Sequence, residues 1–233
     1  MKKLLIEGLI SIGFENTTIE SLAKKVTAYV HELHMFNKAY DLCGARTKED
    51  IIIKHIFDSL AATPHIQKIV ADLKTSKATV SEEPNRDVQN KITIADIGSG
   101  GGLPGIPLAI VMPDVQFTLV ERMRKRCIFL ENCVAILGLD NVLILNEQAE
   151  RIPQQSFDIA VFRAFRPLDK KSIRILLRIL KKPNGRLIAY KARAEKIKTE
   201  MNMIDQWVPT YTVLPLSVPY MQDHERNLVV ISS

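Results

Sequence analysis

Between Ala95 and Ala109 the chain reads ADIGSGGGLPGIPLA, five glycines and two prolines set between apolar runs. Glycine lacks a Cβ and tolerates positive φ, so a loop of this kind lets a ligand lie against the main chain. The glycines fit two registers. Asp96-x-Gly98-x-Gly100-x-Gly102 is the form of loop that holds S-adenosyl-L-methionine in many methyltransferases, whereas Gly100-x-Gly102-x-x-Gly105 is the fingerprint of NAD-dependent oxidoreductases. The two ligands bring different charges. A dinucleotide sets a pyrophosphate on a helix N-terminus and needs N–H donors there. S-adenosylmethionine brings a carboxylate, an ammonium and a sulfonium, and needs acidic groups and acceptor carbonyls nearby. Asp96 closes an apolar run within reach of an ammonium, while Pro104 and Pro107 remove donors from the following helix. Both features favour the first register.

Other candidates fall at the ends of apolar runs. Glu121 can accept both hydroxyls of a ribose, a role shared by both cofactor classes. Ala149 and Glu150 follow a third run, at the edge where an adenine ring would lie. Arg163 ends a fourth run in FRAF and is expected to be the catalytic residue, donating to a base oxygen or a phosphate; a structural ion pair is the alternative. Arg122, Arg124, Lys125 and Arg126 open a helix, where positive charge opposes the dipole, so an RNA phosphate is a reason for their presence. His31 and His34 stand in HELH, which is not the HExxH of a zinc site, and no metal is expected.

These residues need a scaffold. From residue 91 onward, ITIADI, QFTLVE, NVLIL, FDIAVF and GRLIAY read as five buried parallel strands, with helices near Pro104–Met112, Arg122–Leu137 and Lys170–Lys181. A helix through about Trp207 follows, and then YTVLPL and ERNLVVIS, two strand-like runs with no helix between them. A terminal antiparallel pair of that kind marks the sheet of Rossmann-like methyltransferases, whereas a dinucleotide domain ends on a sixth parallel strand. Upstream, MKKLLIEGLISIGF reads as an amphipathic helix and not a leader peptide, because Glu7 breaks the apolar run. Helices are expected at Thr17–Lys38, opened by a capping box of Thr17 and Glu20, and at Lys48–Ile69. The expected organisation is a helical segment 1–73, a polar linker 74–90 and a cofactor-binding domain 91–233.

Composition narrows the partner. The chain has 233 residues and a formal net charge of +6. From Arg163 to Lys198 there are 13 Lys or Arg against Asp169 and Glu195, a local balance of 13 − 2 = +11. Arg166 and Lys191 lie in this run and are expected, with the four residues from Arg122 to Arg126 named above, to meet a polyanion; the alternative is a solvated helix face. No run reaches the roughly 20 apolar residues of a spanning helix. Three cysteines without CxxC spacing fit a reducing compartment, so a cytoplasmic, monomeric protein without membrane contact is expected.

The segments LHMFNKAYDL, KHIFDSL, DIGSGGGLPGIPLAI, FRAF and ERNLVVI carry a resemblance from about Val26 to Ile231. The sequence resembles the glucose-inhibited division protein B family, RsmG-type ribosomal RNA small-subunit methyltransferases that act on guanine N7. The resemblance implies that Gly98 and Leu103 line the cofactor site, that Ala149 and Glu150 flank the adenine and that Arg163 sits beside the cofactor. The chain departs from the family pattern at Asp41 and Cys43, in a longer linker and in Gly-Gly-Leu after Gly100. Guanine N7 suits the residues present. FRAF is not the Asn/Asp-Pro-Pro-aromatic run of amine methylation, and Cys127 and Cys133 fall on the helix after the second strand, away from where a nucleophile for pyrimidine C5 would stand. N7 exposes a lone pair and has no proton to lose, so an in-line displacement needs positioning more than an acid or base. The expectation is a class I, Rossmann-like α/β methyltransferase with a seven-stranded mixed sheet, acting on a guanosine of 16S ribosomal RNA or a 30S particle. An NAD-dependent oxidoreductase and a non-catalytic RNA-binding assembly factor are the alternatives, and His55 and Asp58 are further candidates for ordering the site.

Overall fold

A computed structural model describes residues 1–78, 91–164, 167–208 and 210–233. Its strands are β1 Thr93–Ile97, β2 Gln116–Val120, β3 Val142–Leu145, β4 Ile159–Arg163, β5 Arg186–Lys191, β6 Thr212–Pro215 and β7 Asn227–Ser232. They form one sheet in the order β3-β2-β1-β4-β5-β7-β6. The first five are parallel, and β7 runs antiparallel between β5 and β6. Strand order reverses where β1 lies between β2 and β4, and a crevice opens there at the carboxyl ends of the strands.

Alternation along the strands feeds two cores. Ile94, Ile159, Val161 and Ile188 face one side, while Ala95, Ile97, Ala160 and Leu187 face the other. Both sets are apolar, as expected for parallel strands covered on both faces. The second face is covered by helices α8 Lys170–Arg178 and α9 Ala194–Asn202. On the first lie α6 Gly105–Val111, α7 Arg124–Leu137 and the helices that precede the sheet.

Those preceding helices share their core with the sheet. Helices α1 Lys2–Ile12 and α2 Asn16–Tyr40 bury Leu5, Leu9, Tyr29 and Leu33 in the cluster that contains Phe117 and Leu119 of β2. A Cβ on Gly8 would lie 2.1 Å from the Phe57 ring, so α1 rests directly on that side chain. The expected capping box of Thr17 and Glu20 does not form. The helix begins at Asn16 behind Glu15, with no side-chain cap.

The helix expected over Lys48–Ile69 is instead divided. Thr47 caps α3 Lys48–Ile51 by accepting from the Asp50 N–H at 3.0 Å. A π-helical turn Ile52–Phe57 follows, then α4 Asp58–Leu60 and, after a break, α5 Thr63–Ala78. Packing of Ile52, Ile56 and Phe57 holds the widened turn, and turns of this kind recur at functional sites. Helix α5 runs four residues beyond position 74, where the linker was expected to begin; residues 79–90 of that stretch lie outside the described residues. Near its end Lys77 pairs with Asp158 at 2.8 Å, and Asp158 also takes Lys181 at 3.2 Å and the Thr93 N–H at 2.9 Å. That buried carboxylate ties α5 to the amino end of the sheet.

Candidate active site

At the strand switch the chain turns sharply. The N–H groups of Gly98 and Ser99 both donate to the Val120 carbonyl, and Gly98, Gly100 and Gly102 take φ values of 73°, 58° and 89°. An L side chain would be strained at each of these positions. From above, the Tyr29 hydroxyl of α2 donates to the Gly101 carbonyl at 2.5 Å. The helix before the sheet thereby helps to hold the loop.

The start of α6 decides between the two glycine registers. The Gly105 N–H donates to Asp96 Oδ2 at 3.0 Å, Ile106 N–H to the Gly102 carbonyl and Leu108 N–H to the Pro104 carbonyl. Pro107 has none to offer. No first-turn donor is left for a pyrophosphate, so the dinucleotide register does not fit. Gly105 serves packing instead, since a Cβ there would lie 2.3 Å from Leu119.

Two hollows meet at this loop, sharing Gly98, Arg126 and Ala164. The first, of about 540 Å³, is walled by Glu121, Glu147, Ala149 and Glu150 with Arg122 and Lys171. Glu121 is buried and receives the Gly100 N–H on Oε2 at 3.0 Å and the Met123 N–H on Oε1 at 2.8 Å. Each oxygen keeps a second lone pair, so the carboxylate can accept from a vicinal diol. Arg178 of α8 donates to the Ala149 and Glu150 carbonyls at 3.4 and 3.0 Å and fixes the turn that follows β3. The chemistry of this wall fits a nucleoside that carries an ammonium group, with Gly98, Glu121, Ala149 and Glu150 placed to hold it.

The second hollow, of about 570 Å³, lies between the loop, the π-helical turn and the ends of β4, β5 and β7. Arg163 donates from Nη1 to Asp58 Oδ2 at 2.9 Å and from Nη2 to His55 Nδ1 at 3.1 Å. Arg226 donates from Nε to Asp58 Oδ1 at 3.0 Å. Burial foremost, and then the Arg163 guanidinium, push His55 down from 6.5 to about 4. Lys191 pairs with Glu200, and Tyr190 donates to the Ser59 carbonyl at 2.9 Å. Cys43 also lines this hollow, but burial raises its thiol, which leaves it a poor nucleophile.

The expected residues separate accordingly. Gly98, Gly100, Leu103, Glu121, Ala149, Glu150 and Arg163 reach the hollows, whereas Asp96 and Gly102 do not. Asp96 is 1% exposed and turned under the loop, where burial raises it from 3.8 to about 7. Its place there follows from the Gly105 N–H, a buried donor that needs an acceptor. A Cβ on Gly102 would meet Ile106 at 2.5 Å, so that glycine closes the turn against α6. Of the basic residues, Arg122, Arg126 and Lys191 line the hollows. Arg124 is exposed and paired to Glu131 at 2.9 Å, Lys125 is exposed, and Arg166 lies outside the described residues. His31 accepts from Lys48 at 3.2 Å on the surface. Among the described residues no group of three or more His, Cys, Asp and Glu could hold a metal ion, and no helix is long and apolar enough to cross a membrane.

Arg226 and Lys54, which line the second hollow, and Tyr29, which holds the loop, were not singled out from the sequence. For Arg226 a signal existed, because it precedes a strand antiparallel to its neighbour. Such a strand begins at the carboxyl edge, and Asn227 duly pairs with Lys191 at the end of β5.

The fold has solved counterparts. A structure from Methanococcus maripaludis, described as an S-adenosyl-L-methionine-dependent methyltransferase, superposes with a TM-score of 0.51 at 18% identity over 79% of this chain and 90% of that one. One from Staphylococcus aureus, described as a caffeoyl-CoA O-methyltransferase, gives 0.51 at 14% identity over 100% and 99%. The architecture is that of the Rossmann-like methyltransferases. Residues 22–75 and 77–229 match the family described as rRNA small subunit methyltransferase G, and the chain belongs to that family. Ribosomal RNA small subunit methyltransferase G of Treponema denticola is 37% identical over 98% of this chain and 93% of its own length. The protein of that name in Neisseria meningitidis serogroup A is 32% identical over 99% and 98%.

Proposed function

We propose that this protein transfers a methyl group from S-adenosyl-L-methionine to N7 of a guanosine in small-subunit ribosomal RNA. Family membership supports the substrate class. The observation that carries the site reading is the junction at Gly98 of a carboxylate-walled hollow with a basic one, beside a helix start with no spare donor. The cofactor supplies a sulfonium methyl, an electrophile that a ring nitrogen can take without releasing a proton. Glu121 and the Ala149–Glu150 turn hold the adenosine, the positive-φ loop lets its amino-acid end approach the main chain, and Leu103 excludes water beside Gly98. Arg163, locked by Asp58 and His55 in the basic hollow beside the shared Ala164, is the catalytic residue and orients base and cofactor against each other. Arg122, Lys125 and Arg126 meet RNA phosphates, as do Lys191 and the open basic face of α8 that carries Lys170, Lys171 and Arg174. We further propose a cytoplasmic monomer whose helical segment, extended by α5 to residue 78, and cofactor domain 91–233 act as one body around the site.

Reactive m7G in ribosomal RNA can be located by borohydride reduction and aniline cleavage. A strain lacking this gene is expected to lose one cleavage site in the small-subunit RNA and to regain it on complementation. An unchanged cleavage pattern would rule the reading out.

A further inference from the structure

The imidazole of His55 is fixed in one tautomer by the bonds around it. A guanidinium has donors only, so His55 Nδ1, 3.1 Å from Arg163 Nη2, must accept through its lone pair. The ring is then neutral with its proton on Nε2, and its lowered pKa of about 4 keeps it so near neutral pH. Arg163 is held in turn by Asp58, whose other oxygen is taken by Arg226. His55 sits on the π-helical turn and lines the basic hollow, and no described residue accepts from its Nε2–H. Three charged side chains, from α4, β4 and the residue before β7, thus present one neutral N–H donor at the site.

The edge of guanine that carries N7 also carries O6, a second acceptor; adenine carries an amino donor at that position. When N7 keeps its lone pair for the methyl group, O6 is the remaining handle on that edge. We propose that His55 reads the target base: its Nε2–H donates to guanine O6, leaves N7 free, and opposes the adenine amino group. This rests on the guanine-N7 reading above. A neutral donor suits the task because the base gains a positive charge as N7 is methylated, and a protonated imidazole would oppose that charge. Asp58 and Arg226 are positioning residues here, acting through Arg163 on the tautomer.

The test crosses a change in the enzyme with a change in the base. Small subunits are reconstituted with RNA carrying either guanosine or 2-aminopurine, which keeps N7 but lacks O6, at the position located by aniline cleavage. Tritiated methyl transfer is then measured for the wild type, His55→Leu and His55→Gln. Loss of O6 is expected to lower wild-type kcat/KM by about 30-fold, and that of His55→Leu by less than about 3-fold, because the donor is already gone. His55→Gln keeps an N–H donor and is expected to retain most of the wild-type discrimination, which also covers the case in which the leucine variant folds poorly. Calorimetric titration is expected to give all three proteins the same affinity for S-adenosyl-L-methionine within about twofold. Equal penalties for the missing O6 in wild type and both variants would overturn the proposal. So would a loss of cofactor affinity that matches the loss of activity, since His55 would then act only through Arg163 on the cofactor. A wild-type enzyme that leaves N7 of guanosine unmethylated would instead overturn the guanine-N7 reading, before any variant is compared.

Discussion

The two hollows that meet at Gly98 differ in how their charges are held. On the carboxylate-walled side, Glu121 is satisfied almost entirely by main chain, receiving N–H groups from Gly100 and Met123. On the opposite side, Asp58 is satisfied entirely by side chains, Arg163 at the end of β4 and Arg226 just before β7, both remote in sequence. Main-chain donors are fixed once the fold forms, so the first wall is a rigid cradle. The second wall instead depends on charge-assisted side-chain pairs, and Lys54, Arg126 and Lys191 add further cations to it. One wall is held by main chain, and the other by side chains drawn from positions far apart in sequence.

The largest expected break in this arrangement is Arg163→Ala. Single-turnover methyl transfer should fall by about 10³-fold, since the variant removes a charged donor from the basic hollow. Stability should fall by about 2 kcal/mol in thermal denaturation, because Asp58 keeps Arg226 as a partner. Unchanged turnover would make Arg163 purely structural. Next in size is Glu121→Gln, which leaves one acceptor oxygen for two main-chain donors and a ribose. Calorimetry should show S-adenosyl-L-methionine binding weakened by about 10-fold with RNA affinity nearly unchanged. An equal loss for both ligands would erase the distinction between the hollows.

The smallest effect is a difference in pH response. Asp96, beneath the loop, is raised from 3.8 to about 7, so its contribution to stability is complete below 3.8 and is lost as pH rises through about 7. His55 is lowered from 6.5 to about 4, so its contribution is complete above 6.5 and is lost as pH falls through about 4. The two oppose each other across the range they share. Melting temperatures between pH 4 and 7 should show Asp96→Asn gaining on the wild type as pH rises and His55→Gln gaining as pH falls. Parallel curves would contradict both assignments.

Most of the sheet was legible in the sequence. Runs such as ITIADI and FDIAVF are short, apolar and bounded by turns, and β1 and β4 fall within one residue of them at their carboxyl ends. The terminal pair could be read because no helical period lies between YTVLPL and ERNLVVIS. Gly98, Glu121 and Arg163 were legible as crevice residues because strand ends at a switch point face the crevice, and all three line the hollows there. Asp96 stands near the end of β1 by the same rule but is buried beneath the loop. Its side chain turned to the nearest buried donor, the Gly105 N–H, which no linear pattern reveals.

The sequence by itself determined the order of elements, the glycine loop and the excess of positive charge, because these depend on residue type and short-range spacing. Only the tertiary structure decided the widened turn at Ile52–Phe57, the contact of Tyr29 with Gly101 and the Asp58 clasp. The last two join residues far apart in the chain: Tyr29 with Gly101, and Asp58 with Arg163 and Arg226. Such contacts follow from how the helices before the sheet pack on its first face, where burial of Ile52, Ile56 and Phe57 outweighs the regular helical period.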